Sequence, residues 1–245
     1  MGMRTLDITT TCMVGLLLAS FTVLFASRAS KMTPTDFASD AEVAYLDDVE
    51  FFTGDMIFYQ CCPYINFVVN SVWSHVAIVY VVDGVPYVAE VASQSGFTLK
   101  PLHDVVLRAL WDGTTRVAVR QACGSRRVDP ERLRAFLSEN LGQRVPYSHE
   151  YWRACFDRTF PMLSVVPATN ERSPTTFCSH FVATALRECG ALSPDTNVHR
   201  MLPSDLAEGS SGFVASNGHA YSPLSMLRLR SRKPESFLVC EKGSA

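Results

Sequence analysis

The sequence has no surplus of charge of either sign and no repeated segment. Its 245 residues carry 22 Lys and Arg against 24 Asp and Glu, a formal net charge of −2 at pH 7. A nucleic-acid-binding protein normally carries a basic surplus that neutralises phosphates, so this balance argues against that class. There is no Gly-X-Y period, heptad run or repeat of about 20–50 residues, which excludes fibrous and solenoid proteins. With 47% hydrophobic and 19% charged residues, the chain is predicted to form one large domain, or one domain plus an appendage.

The sequence also lacks the motifs that bind phosphates, dinucleotides or zinc. It contains no Gly-rich phosphate loop, no dinucleotide fingerprint and no paired Cys-x2-Cys spacing. We therefore predict no cofactor and no metal. The alternative zinc ligands are Cys61 and Cys62 with His75, or Cys178 with His180.

The eight cysteines are irregularly spaced, and Cys61 and Cys62 are adjacent. Adjacent cysteines rarely form a disulfide with each other because the geometry is strained. Irregular spacing in a chain of this length is typical of free thiols in a reducing compartment. None of the asparagines lies in an Asn-x-Ser/Thr sequon, which is compatible with a cytosolic location.

A long uncharged segment, residues 8–27, lies near the N-terminus. As a helix at about 1.5 Å per residue it spans about 30 Å, the thickness of the hydrocarbon core of a bilayer. We predict that residues 1–31 form a single-pass membrane anchor with the following domain on the cytosolic side, because Arg28 and Lys31 follow the segment. The alternatives are a signal peptide, cleaved near Ser27-Arg28-Ala29 so that the protein is secreted, and a buried core helix.

The rest of the chain is divided by its composition and pattern. Residues 32–50 are polar and acidic and are predicted to form a linker, and residues 51–245 are predicted to form the domain. Short β-branched and aromatic runs predict strands at residues 55–59, 74–82, 85–92, 97–99 and 116–121. Asp83-Gly84 joins the second and third strands and is a strong signal for a hairpin with a type I′ turn.

Two clear helices are predicted after the strands. The first begins at Pro130, directly after the capping residue Asp129. The second runs from about Phe177 to Cys189 and has an apolar stripe on one side. A short helix near residues 151–156 is a weaker expectation. Strands followed by helices on both sides of a long loop predict an α+β domain.

Cys178 lies in the first turn of the second predicted helix, after Ser173-Pro174-Thr175-Thr176, which supplies capping oxygens and a helix-start proline. Unpaired N–H groups and the positive end of the helix dipole stabilise a thiolate there, so we expect its pKa to be lowered. The alternative is that Cys178 is a small buried hydrophobic residue, as free cysteines often are.

A nucleophilic cysteine needs a base, and His75 is the candidate. His180 is nearer in the sequence, but residues two apart on a helix lie on nearly opposite faces. His75 begins an otherwise apolar strand, and a two-residue turn at Asp83-Gly84 places Glu90 diagonally opposite it on the same face. A carboxylate there fixes the imidazole tautomer and stabilises its protonated form. The alternative is a structural hydrogen bond between two strands, since spacing alone does not bring Cys178, 103 residues away, to His75.

Four motifs and Glu90 follow one another between roughly residues 50 and 207. They are Gly54-Asp55-Met56-Ile57-Phe58, Ser74-His75-Val76-Ala77-Ile78-Val79, Glu90, Phe177-Cys178-Ser179-His180-Phe181-Val182 and Pro203-Ser204-Asp205-Leu206. Their order resembles that of circularly permuted NlpC-like papain-fold hydrolases, a group that includes the YiiX-like bacterial enzymes, relatives in large DNA viruses, and lecithin retinol acyltransferase.

The resemblance implies a papain-like (permuted NlpC-type) α+β fold, with an antiparallel sheet packed on helices. It implies Cys178 as the nucleophile, His75 as the base and Glu90 as the third polar residue. His180 departs from the pattern, because YiiX-like proteins usually carry a glutamate there. This difference bears on substrate contacts more than on the nucleophile.

We therefore predict a membrane-associated thiol hydrolase that cleaves an amide or an ester. In this interpretation Cys178, deprotonated by His75 with Glu90 orienting it, attacks a carbonyl and forms a thioester. Water or a second acceptor then releases the acyl group, and the Cys178 backbone N–H is the expected oxyanion donor. The substrate classes are peptide-type amides and acyl lipids, and the sequence does not choose between them.

Two other functions remain open from the sequence. The domain is alternatively a catalytically idle interaction or structural module of a membrane-bound assembly; a buried Cys178, or one that cannot approach His75, favours this alternative. A thiol sensor that uses Cys61 and Cys62 is a minor possibility. The basic stretch of Arg228, Arg230, Arg232 and Lys233 is predicted to be a solvated strand edge, with contact to anionic headgroups as the alternative.

Overall fold

The structure is a computed structural model, and it describes residues 42–61, 71–92, 96–112, 115–140, 142, 177–209, 213 and 215–230. The predicted N-terminal helix within residues 1–31, the short helix near residues 151–156 and Cys62 lie outside these ranges. None of the helices within them is long and apolar enough to span a membrane.

One mixed sheet of seven strands organises the described residues. The strands are β1 (Glu42–Tyr45), β2 (Met56–Gln60), β3 (His75–Val82), β4 (Val85–Ala92), β5 (Gly96–Pro101), β6 (Arg116–Arg120) and β7 (Ser225–Arg228). Their order across the sheet is β1-β7-β6-β2-β3-β4-β5. All neighbours are antiparallel except β1 and β7, which are parallel.

Helices cover both faces of this sheet. They are α1 (Leu102–Trp111), α2 (Pro130–Asn140), α3 (Cys178–Glu188) and α4 (Pro203–Glu208), with short 3₁₀ turns at Leu46–Asp48 and Val198–Arg200. The predicted α+β class is thus confirmed, and so are the two long predicted helices, now α2 and α3. Asp129 caps α2 as expected, because its Oδ1 accepts the N–H of Glu131 at 2.9 Å.

The two faces of the sheet bury separate apolar clusters, because successive side chains of a strand point to opposite faces. On one face, α2 and α3 pack against side chains that include Phe58, Val76, Ile78 and Ala89. On the other, α1 packs against side chains that include Ile57, Ala77, Val79 and Val88. His75 and Glu90 belong by register to the α1 face, whereas α3, which carries Cys178, packs on the opposite face.

The β3–β4 hairpin has the predicted turn and register. Asp83 and Gly84 have φ angles of 50° and 79°, the two positive values that a type I′ turn requires. Val82 is paired with Val85, and the ladder continues in the same register as far as Ile78 and Ala89. Because the hairpin contains no bulge along this ladder, the face on which Glu90 lies is the predicted one.

The Gly54-Asp55 motif has a structural role at the start of β2. The buried Asp55 carboxylate accepts the N–H of Phe52 at 2.9 Å and that of Ala122 at 2.8 Å, so it ties β2 to the chain that follows β6. Burial raises the pKa of Asp55 to about 6, although these hydrogen bonds act to lower it. Gly54 has a φ of +97°, and a Cβ there would lie 2.4 Å from Cγ2 of Val128, so only glycine fits.

Three elements differ from the sequence-based expectations. Residues 42–45 fall in the predicted linker but form β1, and α1 lies in a stretch to which no structure was assigned. The predicted solvated edge at Arg228 is wrong, because β7 lies between β1 and β6 in the interior of the sheet. Beyond β7, Arg230 forms an ion pair with Asp48.

The side chain of Phe181 joins α3 to the sheet, and its loss should destabilise the domain. Phe181 is fully buried, and its ring centroid lies 5.1 Å from that of Phe97 and 5.3 Å from that of Phe136. We expect Phe181→Ala to lower the free energy of unfolding by about 3–5 kcal/mol, because it removes buried area and leaves a cavity. Urea denaturation of the full chain measures this change. Val85→Ala, at a side chain that is 47% exposed, is the control and should change stability by about 0.5 kcal/mol or less; equal losses in the two variants would contradict this assignment of the core.

Candidate active site

His75 and Glu90 form a hydrogen-bonded pair at one end of the sheet. His75 is the first residue of β3, and its Nε2 lies 3.0 Å from Oε2 of Glu90 in β4. The side chains are only 18% and 12% exposed, so the pair is largely removed from water. The diagonal contact predicted from the hairpin register is therefore present, and it leaves Nδ1 as the ring nitrogen available to a further partner.

Cys178 is that partner. It is the first residue of α3, directly after the extended N-cap residue Phe177, and the first intrahelical bond runs from the Phe181 N–H to the Phe177 carbonyl at 2.9 Å. The side chain of Cys178 is hydrogen-bonded to that of His75, and its sulfur accepts the backbone N–H groups of Val76 and Ser179. The structure thus brings all three predicted residues together, with the imidazole in contact with both Glu90 and Cys178.

These contacts decide the charge states of the cysteine and the histidine. Burial acts to raise the pKa of Cys178, but the positive charge of His75, its hydrogen bond and the two N–H groups outweigh burial and hold that pKa below its ordinary value. Burial acts to lower the pKa of His75, but the negative charges of Cys178 and Glu90 raise it well above the ordinary value. Both shifts favour a thiolate beside an imidazolium, which is the reactive form of a cysteine nucleophile.

Glu90 has a second cationic partner, Lys100 of β5. The Nζ of Lys100 lies 3.3 Å from Oε1 of Glu90, while Oε2 faces His75. Burial acts to raise the pKa of Glu90, but His75 and then Lys100 lower it below its ordinary value. Lys100 was not predicted from the sequence. Extending the antiparallel pairing from β4 to β5 locates it, because Thr98 lies opposite Glu90 and Lys100 is two residues further along the same face.

Tyr59 is the neighbour of His75 on the other side. It is paired with His75 across β2 and β3, and the two ring centroids are 5.7 Å apart. Its hydroxyl is buried without a hydrogen-bond partner among the described residues. Burial raises the pKa of Tyr59, and the charge of Glu90 raises it further, so the hydroxyl is neutral. The sequence signal for Tyr59 was its position opposite His75 in the preceding strand.

Comparison with known proteins adds little beyond this geometry. No protein-family model matches the chain, and no curated protein matches it. Among solved structures, the chain is similar to the metalloprotein YiiX from Escherichia coli O157:H7, with 17% sequence identity and a TM-score of 0.40 over 74% of this chain and 99% of the YiiX chain. At that identity and TM-score, the similarity says nothing about activity, and the case for a function comes from the site itself.

His180 and Asp205 are two further residues of the sequence motifs that the structure describes. His180 is buried, and its ring centroid lies 4.4 Å from that of His199. Burial and then the charge of His199 lower the pKa of His180 to about 3, so it is neutral near pH 7. Asp205 holds the start of α4, because its Oδ2 accepts the Leu202 N–H at 2.9 Å. Within the ranges that the structure describes, no three His, Cys, Asp or Glu side chains are arranged to hold a metal ion.

The site makes a direct prediction about thiol reactivity. In the full-length protein, Cys178 should be alkylated by iodoacetamide at a lower pH than an ordinary thiol, because His75 holds its pKa below the ordinary value. Cys189 is an internal reference, since burial raises its pKa to about 12 and it should react last. His75→Ala should slow the reaction of Cys178 about tenfold for each unit by which its pKa rises. Mass spectrometry of peptides reads each cysteine separately.

Glu90→Gln is the matched variant for this experiment, because it keeps the shape of the side chain and removes its charge. It should slow the alkylation of Cys178 less than His75→Ala does, since the imidazole remains but its positive charge loses one stabilising partner. If Cys178 titrates like an ordinary thiol in all three proteins, the thiolate–imidazolium pair does not form.

Proposed function

We propose that this protein is a cysteine hydrolase with a papain-like fold of the permuted NlpC type, acting through Cys178, His75 and Glu90. The observation that supports this proposal most is the contact of one buried imidazole with a thiol on one side and a carboxylate, 3.0 Å away, on the other. A nucleophile, a base and a group that orients the base are the three roles that thiol catalysis needs.

The reaction begins with attack of the Cys178 thiolate on the carbonyl carbon of an amide or ester. The carbonyl π electrons move onto oxygen, and the backbone N–H of Cys178 at the helix start is the proposed donor to that oxyanion. When the tetrahedral intermediate collapses, the bond to the leaving group breaks and the His75 imidazolium gives its proton to the departing amine or alkoxide. The product of this half-reaction is a thioester on Cys178.

Neutral His75 then serves as a base in the second half-reaction. It takes a proton from water, or from the hydroxyl or amine of a second acceptor, as the oxygen or nitrogen attacks the thioester carbonyl. Collapse of the second tetrahedral intermediate releases the acid, or the transferred acyl product, and restores the thiolate–imidazolium pair. Glu90 keeps Nε2 occupied throughout, so that Nδ1 faces the sulfur and the reacting groups.

The substrate class is a peptide-type amide or an acyl lipid. The N-terminal segment, residues 1–31, is proposed as a single-pass anchor that holds the domain at a membrane surface, with the domain on the cytosolic side; secretion after cleavage of the segment is the alternative. An anchored enzyme would meet acyl lipids at high local concentration, which favours testing lipids alongside peptides. No nucleic-acid partner and no cofactor are proposed.

One observation favours a second function, that of a catalytically idle module. Cys178 is only 7% exposed, as expected of a thiol that packs rather than reacts. The contact of Cys178 with His75 favours the catalytic function instead, because a purely structural cysteine needs no charged partner. An idle module would bind partners through its surface and would leave Cys178 unmodified by every acyl donor.

Turnover and adduct formation distinguish the two functions. Full-length protein should hydrolyse at least one member of a peptide library or of a panel of phospholipid and neutral-lipid esters, and Cys178→Ala should abolish the activity. Cys123→Ala, at an exposed cysteine away from the site, should retain it. With a slow ester substrate, intact-protein mass spectrometry should find the acyl group on Cys178. Activity that survives in Cys178→Ala would remove the proposed nucleophile, and complete inertness toward both substrate panels would favour the idle module.

A further inference from the structure

The Glu90 carboxylate lies between two cations, one on each neighbouring strand. Its Oε2 lies 3.0 Å from Nε2 of His75 in β3, and its Oε1 lies 3.3 Å from Nζ of Lys100 in β5. The Glu90 side chain is 12% exposed, whereas that of Lys100 is 47% exposed. Each oxygen of the carboxylate therefore has its own charged partner. His75 belongs to the proposed triad, whereas the more exposed Lys100 does not.

The sheet fixes this arrangement. In the β4–β5 ladder Glu90 is paired with Thr98 and Val88 with Lys100, so Glu90 and Lys100 are diagonal neighbours on the α1 face. Diagonal neighbours lie about 7–8 Å apart at the backbone, within reach of a lysine side chain. The same diagonal relation joins His75 to Glu90 across the β3–β4 hairpin. The three charged residues thus form a line across three adjacent strands.

Among the residues that the structure describes, the other side chains near Glu90 supply no further positive charge. From β2, Tyr59 contributes a neutral hydroxyl that has no hydrogen-bond partner within the described ranges. The charged side chains of α1, His103, Asp104 and Arg108, are exposed, and His103 faces Asp47 at 3.7 Å. Helix α3 packs on the opposite face of the sheet. Of the described residues, only His75 and Lys100 offset the cost of burying the Glu90 charge.

We propose that Lys100 is a positioning residue of the active site: its ammonium group keeps Glu90 ionised and directed at His75. This inference rests on the proposed function. A lysine ion pair at a protein surface contributes little on its own because water screens it. Here the carboxylate is mostly buried, so one added cation changes the pH at which it takes up a proton. That pH matters for catalysis, because a protonated Glu90 no longer stabilises the imidazolium, and the imidazolium in turn holds Cys178 as a thiolate.

These contacts determine in which direction the pH dependence of Cys178 reactivity shifts when Lys100 is removed. Without Lys100, the pKa of Glu90 rises, because the burial that opposes its charge is then offset by His75 alone. Glu90 becomes neutral at a higher pH than in the wild type, and the acidic limb of Cys178 reactivity moves toward neutral pH. Removal of this one partly exposed cation should move the pKa of Glu90 only slightly, so the reaction rate near pH 7.5 should change little.

The test measures the rate of Cys178 alkylation between pH 4 and pH 8 in full-length wild type, Lys100→Met, Lys100→Arg and Leu99→Ala. Lys100→Met should shift the acidic midpoint upward by about half a pH unit while keeping the rate at pH 7.5 within about threefold. Lys100→Arg should restore the wild-type midpoint. Leu99→Ala changes the adjacent residue, whose side chain points to the other face of β5, and should leave the midpoint unchanged.

Each outcome has one meaning. A rate for Lys100→Met that falls equally at every pH indicates a structural role and overturns the inference. An unchanged profile for Lys100→Met, in a wild type whose Cys178 is reactive at low pH, also overturns it and leaves the proposed function intact. A wild-type Cys178 that does not react at low pH removes the proposed function itself, and the inference with it. Circular dichroism of the four proteins, which should be the same, separates loss of folding from these effects.

Discussion

The charge on one imidazole links the three side chains of the candidate site. Burial alone would make His75 neutral, because a charged ring is poorly solvated inside a protein. The structure reverses this by placing the Glu90 carboxylate 3.0 Å from Nε2 and the Cys178 side chain in hydrogen-bond contact with the same ring. The imidazolium is stabilised by the two anions, and it in turn stabilises each of them. The three side chains therefore form one electrostatic unit, in which the state of any member depends on its neighbours.

The rest of the fold brings these charges together from two faces of one sheet. The β2–β3–β4 ladders set His75 and Glu90 on the α1 face, and α3 approaches from the opposite face with its N-terminus at the start of β3. Cys178 meets His75 there because β3 begins at His75. The start of α3 is fixed from its other side as well, since the buried Ser179 hydroxyl donates to the Met201 carbonyl at 2.8 Å. The positive end of the helix is thereby held against the strand end that carries His75.

The features that depend on neighbouring residues, the β3–β4 hairpin and helix α3, could be predicted from the sequence. The Asp83-Gly84 turn and a period of two were sufficient to place Glu90 beside His75, because a hairpin register depends on a few neighbouring residues. The helix that begins at Cys178 was also predictable from its apolar spacing. Helix α1 was missed although Leu102, Val106 and Ala109 show helical spacing.

Contacts between segments that are far apart in the chain could not be predicted from the sequence. Strand β1 is four residues long and pairs with β7, about 180 residues further along the chain, so no local signal marks it as part of the sheet. The approach of Cys178 to His75 depends on how α3 packs, which spacing does not specify. The role of Lys100 depends on the pairing of β4 with β5. In each case the decisive quantity is a contact between distant segments, whereas pattern and propensity describe single segments.

The energetics of burial favour a catalytic interpretation of the site over a structural one. Burying charged groups is costly, and replacing a buried ion pair with apolar residues of similar volume is often neutral or stabilising by about 1–4 kcal/mol. A module that served only as a scaffold would therefore be at least as stable with apolar side chains at His75 and Glu90, where Ala77 and Val88 continue the apolar face. The domain instead keeps a thiol, an imidazole and a carboxylate in contact. Their contacts lower the pKa of the thiol and raise that of the imidazole, the directions that make one a nucleophile and the other a proton donor at the same pH.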